Sequence, residues 1–290
     1  MSRPAISRNS AVSQLNCGGR VLDLRRVAVM GILNTTPDSF SDGGQFTNLA
    51  SAIRHAEGMV DDGADIVDVG GESTRPGAAP VSVQEEIDRV IPVIAALCDA
   101  LGVPISVDTS KPEVMREAIS AGAGMVNDVY ALRAEGALDE AARSRVAVCL
   151  MHMQGEPRTM QDNPQYVDVV REVRAFLAER YAACIAAGIS GERIVVDPGF
   201  GFGKSVAHNM ALLRGLRGIT VHGAPVLVGL SRKSLIGKTL GRSVSHRDAA
   251  SVALALSAVQ NGAQILRVHD VGATRDAVRM WEAVHPADPL

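Results

Sequence analysis

Three polar residues, Asp108, Asn127 and Asp197, each end a short apolar run that is rich in Val and Ile. Two carboxylates and an amide that meet in one place could hold a divalent metal, act as acid and base, or hydrogen-bond to the N–H edge of a heterocycle. A metal would usually want more carboxylates or a histidine, whereas a carboxylate facing an amidine edge makes paired, directional hydrogen bonds. The residues favour a heterocycle site. Helix capping, the alternative for a strand-terminal aspartate, fits Asp128 better.

Two further segments carry basic side chains and follow the last two apolar runs. They are Ser231-Arg232-Lys233-Ser234 and Arg267-Val268-His269-Asp270. Alternation along an extended strand places Arg267 and His269 on one side and Val268 on the other. A salt bridge is the alternative for any single arginine, but the set together indicates a polyanionic group in the substrate, such as phosphate.

Three segments that are rich in glycine also follow apolar runs, where long loops are usually functional. The segment 34–44 is dense in hydroxyls and carboxylates, and is either a lid over an anion or metal or a solvated, turn-rich loop. The segment 70–77 carries Thr74 and Arg75, which suit phosphate. The segment 197–204 ends in a lysine but lacks the spacing of a nucleotide-triphosphate loop. Its Phe202 either packs over a flat ligand or belongs to the core.

The elements that must position these groups alternate regularly. Eight apolar runs end in polar or ionisable residues, and helical patterns lie between them at about 48–63, 82–101, 111–122, 136–144, 164–188, 205–217, 246–262 and 272–284. Alternating strands and helices imply a parallel sheet with right-handed crossovers, and eight units imply closure into a TIM (β/α)₈ barrel. The polar residues that follow the apolar runs would then all lie at the carboxyl-terminal opening of the barrel, which we call the mouth.

The segment before the first run predicts how the opposite end of the barrel is closed. Residues 1–13 are small and polar, and we expect them to form a disordered extension. Residues 14–26, centred on Gly18-Gly19, predict a hairpin that caps the barrel floor. The remaining chain, 14–290, is then a single barrel domain.

Local signals predict several helix ends. Ser82 with Glu85 forms a capping-box pattern, and Ser110 is expected to cap a helix whose first turn contains Pro112. Left-handed C-caps are expected at the five glycines that follow helical runs, namely Gly63, Gly102, Gly122, Gly188 and Gly262.

Composition narrows the class of protein. The 290 residues are 47% hydrophobic and carry a net charge of −3, so no basic field would attract nucleic acid or an acidic membrane. Aromatic residues make up 3%, which disfavours stacking on single-stranded nucleic acid. No apolar stretch is long enough to span a membrane. The four cysteines show no paired spacing for zinc, and three lie in apolar contexts, which predicts reduced thiols in the cytoplasm.

The motifs, in this order, resemble those of the dihydropteroate synthase family, the folate-pathway enzymes that sulfonamides target. The resemblance runs from about Val27 to Val284 and rests on eight segments: 34–40, 70–77, 107–109, 127–129, 151–155, 197–204, 231–233 and 267–270. Any one tetrapeptide would be weak, but the ordered set is highly specific. Only the first dozen residues look additional to the family pattern.

The resemblance implies a transferase in which 4-aminobenzoate displaces pyrophosphate from 6-hydroxymethyl-7,8-dihydropterin diphosphate. It implies a pterin held by Asp108, Asn127, Asp197 and Lys233. It implies Mg²⁺ on Asn34, bridged to a diphosphate that contacts Thr74, Arg267 and His269. The implied aminobenzoate pocket comprises Thr74, Arg75, Pro76, Phe202 and Ser231, and the implied catalytic residues are Asp108, Lys233 and Arg267. The family is usually dimeric, and the apolar helix at 247–261 is the expected contact.

Two other functions compete with this interpretation. A pterin-binding methyltransferase barrel that uses methyltetrahydrofolate would share the Asp-Asn-Asp pattern, but it needs no diphosphate site. A catalytically silent, pterin-binding paralogue would be expected to lose Asn34, Asp108 or Lys233, and all three are present. Asp68, Asp128 and His152 are expected to support the site rather than to contact ligand.

Overall fold

The computed structural model describes residues 12–35, 45–73, 80–156 and 159–285. In these ranges ten β-strands form a small hairpin and an eight-stranded parallel sheet. In chain order the strands are β1 (Gln14–Cys17), β2 (Arg20–Asp23), β3 (Ala28–Asn34), β4 (Ile66–Gly70), β5 (Ile105–Asp108), β6 (Met125–Asp128), β7 (Ala147–Met151), β8 (Ile194–Asp197), β9 (Leu227–Val228) and β10 (Ile265–Val268). The order in the large sheet is β8-β7-β6-β5-β4-β3-β10-β9, and a parallel bridge from Val196 to Val226 joins its two edges. The predicted TIM (β/α)₈ barrel is confirmed.

Helices follow every barrel strand. Within the described ranges they are α1 (Gln45–Asp61), α2 (Val83–Ala100), α3 (Pro112–Ser120), α4 (Ala137–Arg143), α5 (Val169–Ala186), α6 (Val206–Arg214), α7 (Ser234–Leu240), α8 (Asp248–Gln260) and α9 (Val271–Val284). The periodicity does not predict α7, because seven residues with Gly237 inside them are too short for a periodic pattern. The predicted start of α5 at 164 is too early, because the Asp168 side chain accepts hydrogen bonds from Val170 N and Arg171 N and starts the helix there. No helix of the described chain is long and apolar enough to cross a membrane.

The helix-end signals are mostly confirmed. Ser82 and Glu85 form the predicted capping box, and Pro112 opens α3. Two predictions are wrong. Ser110 does not cap α3, because Lys111 is the capping residue and makes no side-chain cap bond. Ser110 instead hydrogen-bonds to the buried Asp128 carboxylate. Gly102 adopts no left-handed conformation, because α2 ends at an extended Leu101, whereas the other four glycines do have positive φ.

The hairpin closes the barrel floor, as the sequence predicts. Strands β1 and β2 pair in antiparallel fashion, with Cys17 opposite Arg20. Four apolar hairpin side chains, Leu15, Cys17, Leu22 and Leu24, are buried in one cluster with inward-facing residues of seven barrel strands. The end of the barrel opposite the mouth is therefore sealed by hydrocarbon. The proposed disorder of residues 1–13 falls almost entirely outside the described residues.

The sheet register separates two cores. Side chains of alternate strand residues, such as Ile66 and Met125, point into the barrel and form the cluster that the hairpin seals. Their neighbours, such as Val67 and Val126, point outward and pack beneath the helices. This two-residue alternation continues to the strand ends, so the register that fills the floor also determines which polar side chains enter the mouth.

Candidate active site

Parallel pairing brings the polar strand ends to one level of the barrel. Gly70 pairs with Asn34 on one side and with Asp108 on the other, and Asp108 pairs with Asn127. Asp197 ends β8 and Arg267 is the penultimate residue of β10; both continue the inward alternation of their strands, opposite Met151 and Met30. Residues that lie up to 233 positions apart in the chain thus share one mouth, and their proximity follows from the register alone.

Arg267 forms the centre of the charged network in the mouth. Its Nε donates to Asp68 Oδ2 at 2.6 Å and its Nη2 donates to Asp108 Oδ2, also at 2.6 Å. Asn127 Nδ2 donates to the same Asp68 oxygen at 3.2 Å. Asp68 is completely buried, and its other oxygen has no hydrogen-bond partner among the described residues. Asp68 therefore fixes the orientation of both Arg267 and Asn127.

The Asp108 carboxyl is poised between its charge states. Burial raises its pKa to about 7, and the negative charge of Asp68 adds to the increase, although the Arg267 guanidinium opposes it. The same two carboxylates raise the pKa of Arg267, which stays protonated. A fixed guanidinium beside a carboxyl that titrates near neutrality creates a site whose charge depends on pH.

Asp197 and Lys233 form the opposite side of the mouth. Burial raises the pKa of Asp197, and the positive charge of Lys233 opposes that shift. Burial lowers the pKa of Lys233 to about 8, against the attraction of Asp197. Lys233 Nζ donates to Phe200 O and lies 4.6 Å from the centre of the Phe202 ring. The ammonium, carboxylate and ring therefore form one unit.

The segment Asp197–Lys204 folds tightly beneath that unit because three of its glycines have positive φ, namely Gly199, Gly201 and Gly203. A Cβ atom at Gly199 would lie 1.8 Å from the carbonyl oxygen of His152, and one at Gly203 would lie 2.3 Å from that of Gln154. Glycine is required at both positions. The interleaved phenylalanines separate: Phe200 is fully buried in the core, whereas Phe202 is half-buried beneath Lys233.

The segment after β9 turns sharply at Arg232, whose φ of 57° is left-handed. Arg232 N donates to Ser251 Oγ and its side chain pairs with Asp248, which holds the turn. Ser231 Oγ accepts from the backbone N–H of His269 at 3.2 Å and lies 3.0 Å from His269 Nδ1. The ends of β9 and β10 are thereby connected.

Comparison with known proteins identifies the family. A family model described as "Pterin binding enzyme" matches residues 30–269. Dihydropteroate synthase from Escherichia coli (strain K12) is 53% identical over 265 residues, covering 91% of this chain and 94% of the relative. The chain belongs to the dihydropteroate synthase family. A second relative of that name, from Haemophilus influenzae, is 52% identical, covering 93% of this chain and 98% of the relative.

Solved structures of dihydropteroate synthases share the fold. The Xanthomonas albilineans enzyme with 4-aminobenzoic acid superposes with a TM-score of 0.90 at 55% identity, covering 95% of this chain and 99% of that one. The same enzyme in complex with 7,8-dihydropteroate gives 0.86 at 52% identity, covering 94% and 99%. The family predicted from the ordered motifs is confirmed, and the protein is an enzyme of the transferase class.

Most residues that the family resemblance selects lie together in the described mouth. The networks described above include eight of them: Asp108, Asn127, Asp197, Phe202, Ser231, Lys233, Arg267 and His269. A ninth, Asn34, ends β3 beside Gly70. Residues 36–44 of the proposed lid lie outside the described residues, as do Thr74, Arg75 and Pro76. The predicted alternation at the end of β10 is confirmed, because Val268 is buried in the outer core.

The residues expected only to support the site do so in different ways. Asp128 accepts from Tyr130 N and Leu132 N and stabilises the turn after β6. His152 lies 2.9 Å from Lys204 Nζ. Asp68 is more closely involved than predicted, since it hydrogen-bonds to two proposed site residues. The detectable signal was its position in the inward alternation of β4, two residues after Ile66.

The Lys233 contacts with Phe200 and Phe202, and the burial of Lys204, had no sequence signal. The Gly-rich segment shows that a tight turn must form, but the direction of each carbonyl depends on tertiary packing.

Proposed function

We propose that the protein condenses 6-hydroxymethyl-7,8-dihydropterin diphosphate with 4-aminobenzoate to give 7,8-dihydropteroate and pyrophosphate, in folate biosynthesis. The supporting observation is the polarity of the mouth, where buried carboxylates and an amide adjoin Arg267, His269 and Lys233. The Xanthomonas albilineans relative has been solved with the aminobenzoate and with the product, which supports the same chemistry here.

In this proposal the pterin binds Asp108, Asn127, Asp197 and Lys233. The heterocycle presents an amidine-like edge, and a buried carboxylate recognises such an edge by paired hydrogen bonds. Asp197 has one oxygen fixed by Gly199 N at 2.7 Å, so its second oxygen is oriented for a ligand. A site built for these hydrogen bonds would discriminate strongly against rings that lack them.

The diphosphate would bind Arg267, His269 and Thr74. Nη1 of Arg267 makes no hydrogen bond to the described residues, while Nε and Nη2 hold the guanidinium in place. Fixed donors that need no reorganisation are the most effective at stabilising charge on a leaving group.

Asn34 would be the protein ligand for Mg²⁺. The described residues include no cluster of three or more His, Cys, Asp or Glu side chains that could hold a metal. Half-buried Asn34 offers one amide oxygen, which fits Mg²⁺ because this ion commonly uses one or two protein ligands together with substrate phosphates. When bound, the ion would supply Lewis-acid neutralisation of the leaving pyrophosphate.

We infer a dissociative displacement. The C–O bond to the diphosphate breaks, its electron pair leaves with pyrophosphate, and the aminobenzoate nitrogen forms the new C–N bond and loses a proton to solvent. The ionised Asp108 would stabilise the pterin cation between these steps. No strong base is needed, because the aniline nitrogen is neutral near pH 7. Thr74, Arg75, Pro76, Phe202 and Ser231 would form the aminobenzoate pocket and exclude water that competes for the cation.

The test is pyrophosphate release by the purified protein with each substrate omitted in turn, with and without Mg²⁺. Release that needs both substrates and Mg²⁺, and that a sulfonamide inhibits in competition with 4-aminobenzoate, supports the proposal. A reaction that depends instead on cobalamin or a methyl donor would show the methyltransferase alternative. Pterin binding without turnover would show a silent paralogue.

We also propose a homodimer in the cytoplasm. On α8, Val252, Leu254 and Leu256 are only half-buried, and Leu240 and Val244 nearby are about half exposed. A second copy would cover this apolar face. Light scattering after size exclusion should give twice the chain mass, and a Leu254→Glu variant should give the chain mass. The unpaired thiols of all four cysteines support a reducing compartment.

A further inference from the structure

Lys204 is a buried lysine at the end of the Gly-rich segment, in a position that the proposed reaction does not use. Its side chain and backbone together are 3% exposed. Its Nζ lies 2.9 Å from His152 Nδ1, 2.9 Å from Gly199 O and 3.0 Å from Phe202 O. Burial of an ammonium is costly unless all its protons are matched by acceptors. Burial lowers the pKa of Lys204 well below its ordinary value, and the negative charge of Asp197 opposes that shift. Three acceptors within 3.0 Å match the three N–H bonds of the ammonium and favour the charged form.

His152 is suited to accept one of these hydrogen bonds. Burial lowers the pKa of His152 to about 3, and the charge of Lys204 lowers it further. The imidazole is therefore neutral at pH 7 and presents a lone pair at Nδ1. Its ring is held edge-on against Phe176, with 5.0 Å between the ring centres. The expected supporting role of His152 thus consists of accepting a hydrogen bond from Lys204.

We propose that Lys204 is a positioning residue of the pterin site, which folds the segment 199–204 around its ammonium and supplies positive charge behind Asp197. This inference rests on the proposed function, since it assigns Lys204 to the same pterin-binding half of the mouth.

The carbonyls of the segment 199–204 link Lys204 to Asp197 and Lys233. Lys204 Nζ holds Gly199 O and Phe202 O, and these two contacts bracket Phe200. Phe200 O accepts the hydrogen bond from Lys233. At the start of the segment, Gly199 N donates to Asp197 Oδ1. Loss of the Lys204 ammonium would therefore release the peptides that orient Asp197 and Lys233.

The charges that surround Asp197 determine its protonation state. Burial raises the pKa of this carboxyl, whereas Lys233, Arg267 and Lys204 lower it. The Cys149 thiol also interacts with Asp197, but burial and the negative charge of the carboxylate raise the pKa of this thiol, so it is neutral. Removal of the Lys204 charge would favour protonated Asp197, and a protonated carboxyl loses its paired acceptor geometry toward an amidine edge.

The experiment compares 7,8-dihydropteroate binding by wild type, Lys204→Met and Lys238→Met, measured by titration calorimetry across pH. Lys238 is an exposed lysine on α7 and provides the matched control. We expect Lys204→Met to weaken binding about tenfold, the order of effect of losing one hydrogen bond of typical strength. As the pH is lowered, affinity should fall when Asp197 becomes protonated, and we call this fall the acid limb of the binding curve. We expect the acid limb of Lys204→Met to lie at higher pH than that of wild type, while Lys238→Met matches wild type.

Two further variants separate position from charge. Tyr166→Phe removes the hydrogen bond from Tyr166 Oη to Gly203 O and leaves every charge in place, so its acid limb should match wild type. Lys204→Gln keeps a hydrogen-bond donor without the charge and replaces the Met variant if that variant fails to fold. It should shift the acid limb to higher pH as the Met variant does.

The outcomes are distinct. A folded Lys204 variant that binds with wild-type affinity and an unshifted acid limb overturns the inference alone, even if its melting temperature falls, because that pattern marks a purely structural lysine. Absence of binding by wild type overturns the proposed function together with the inference. Hydrogen exchange that quickens in peptides covering 198–205 of the Met variant, but not elsewhere, supports the positioning role.

Discussion

The floor and the mouth of this barrel are built from the same strands and the same inward alternation, yet they differ in how their buried polar groups are matched. At the floor, hairpin residues such as Leu15 fill the interior with hydrocarbon. Near the same end of the barrel, the buried Arg275 of α9 donates hydrogen bonds to Gly63 O, Val27 O and the Asp65 carboxylate, so its charge is fully matched. In the mouth, one oxygen of Asp68 has no hydrogen-bond partner among the described residues, and Asp108 and Lys233 have pKa values displaced toward neutrality.

This difference shows where stability and function are separated in the molecule. A buried apolar cluster stabilises the fold and has no group that could react. A buried ion pair whose donors are all matched is costly to break and leaves no polar group for a ligand. A buried carboxyl whose pKa rises to about 7 is unfavourable for folding and useful for binding. Substitutions at the floor should therefore change the free energy of unfolding, and substitutions in the mouth should change turnover.

The largest effect is expected at the floor. Leu15 is fully buried, and Leu15→Ala should lower the free energy of unfolding by about 2–5 kcal/mol, because a cavity remains between the hairpin and the barrel. Urea unfolding measures this change. Val21→Ala, at a residue 58% exposed in the same hairpin, is the control and should change stability by less than about 0.5 kcal/mol. A Leu15→Ala protein with altered KM but unchanged stability would contradict the separation.

The next effect is expected in the mouth. Lys233→Ala removes the ammonium that faces Asp197 and contacts Phe200 O, and should lower kcat/KM about 10²–10³-fold with little change in melting temperature. Steady-state pyrophosphate release and thermal unfolding measure the two quantities. Lys238→Ala, on the exposed face of α7, should affect neither. A sharp fall in melting temperature at unchanged activity would make Lys233 a structural residue.

The sequence predicted the mouth better than its internal connections. Strand ends are recognisable because apolar runs stop at polar residues, and closure then brings Asp108, Asn127 and Asp197 together by register. The hydrogen bonds of Asp68 and the burial of Lys204 depend on side-chain directions and on carbonyls in a tight turn, which no periodic pattern encodes. The helix α7 was missed for the same reason, since its seven residues have no period to detect.

The pH dependence of turnover should report on the mouth alone. If catalysis needs Asp108 ionised and Lys233 protonated, kcat/KM should rise through a pKa near 7 and fall through one near 8. Outside this window the expected loss is about tenfold per pH unit. The profile of Leu15→Ala, measured where it is folded, should coincide with that of wild type. A flat profile between pH 5 and 9 would contradict both assignments.

The smallest effect tests whether the mouth is maintained at the expense of stability. The pKa of Asp108 is higher in the folded protein than in the unfolded chain, so the folded state binds the proton more tightly. Its favourable contribution is fully present below about pH 4 and is lost as pH rises through about 7. Asp108→Asn lacks this titration, while Arg267 keeps its ion pair with Asp68. The variant should therefore gain stability relative to wild type between pH 4 and pH 8, by urea unfolding, even as its turnover falls. A constant difference over that range would mean that Asp108 is ionised throughout, as a carboxylate fully matched by Arg267 would be, and the contrast with the floor would then disappear at this residue.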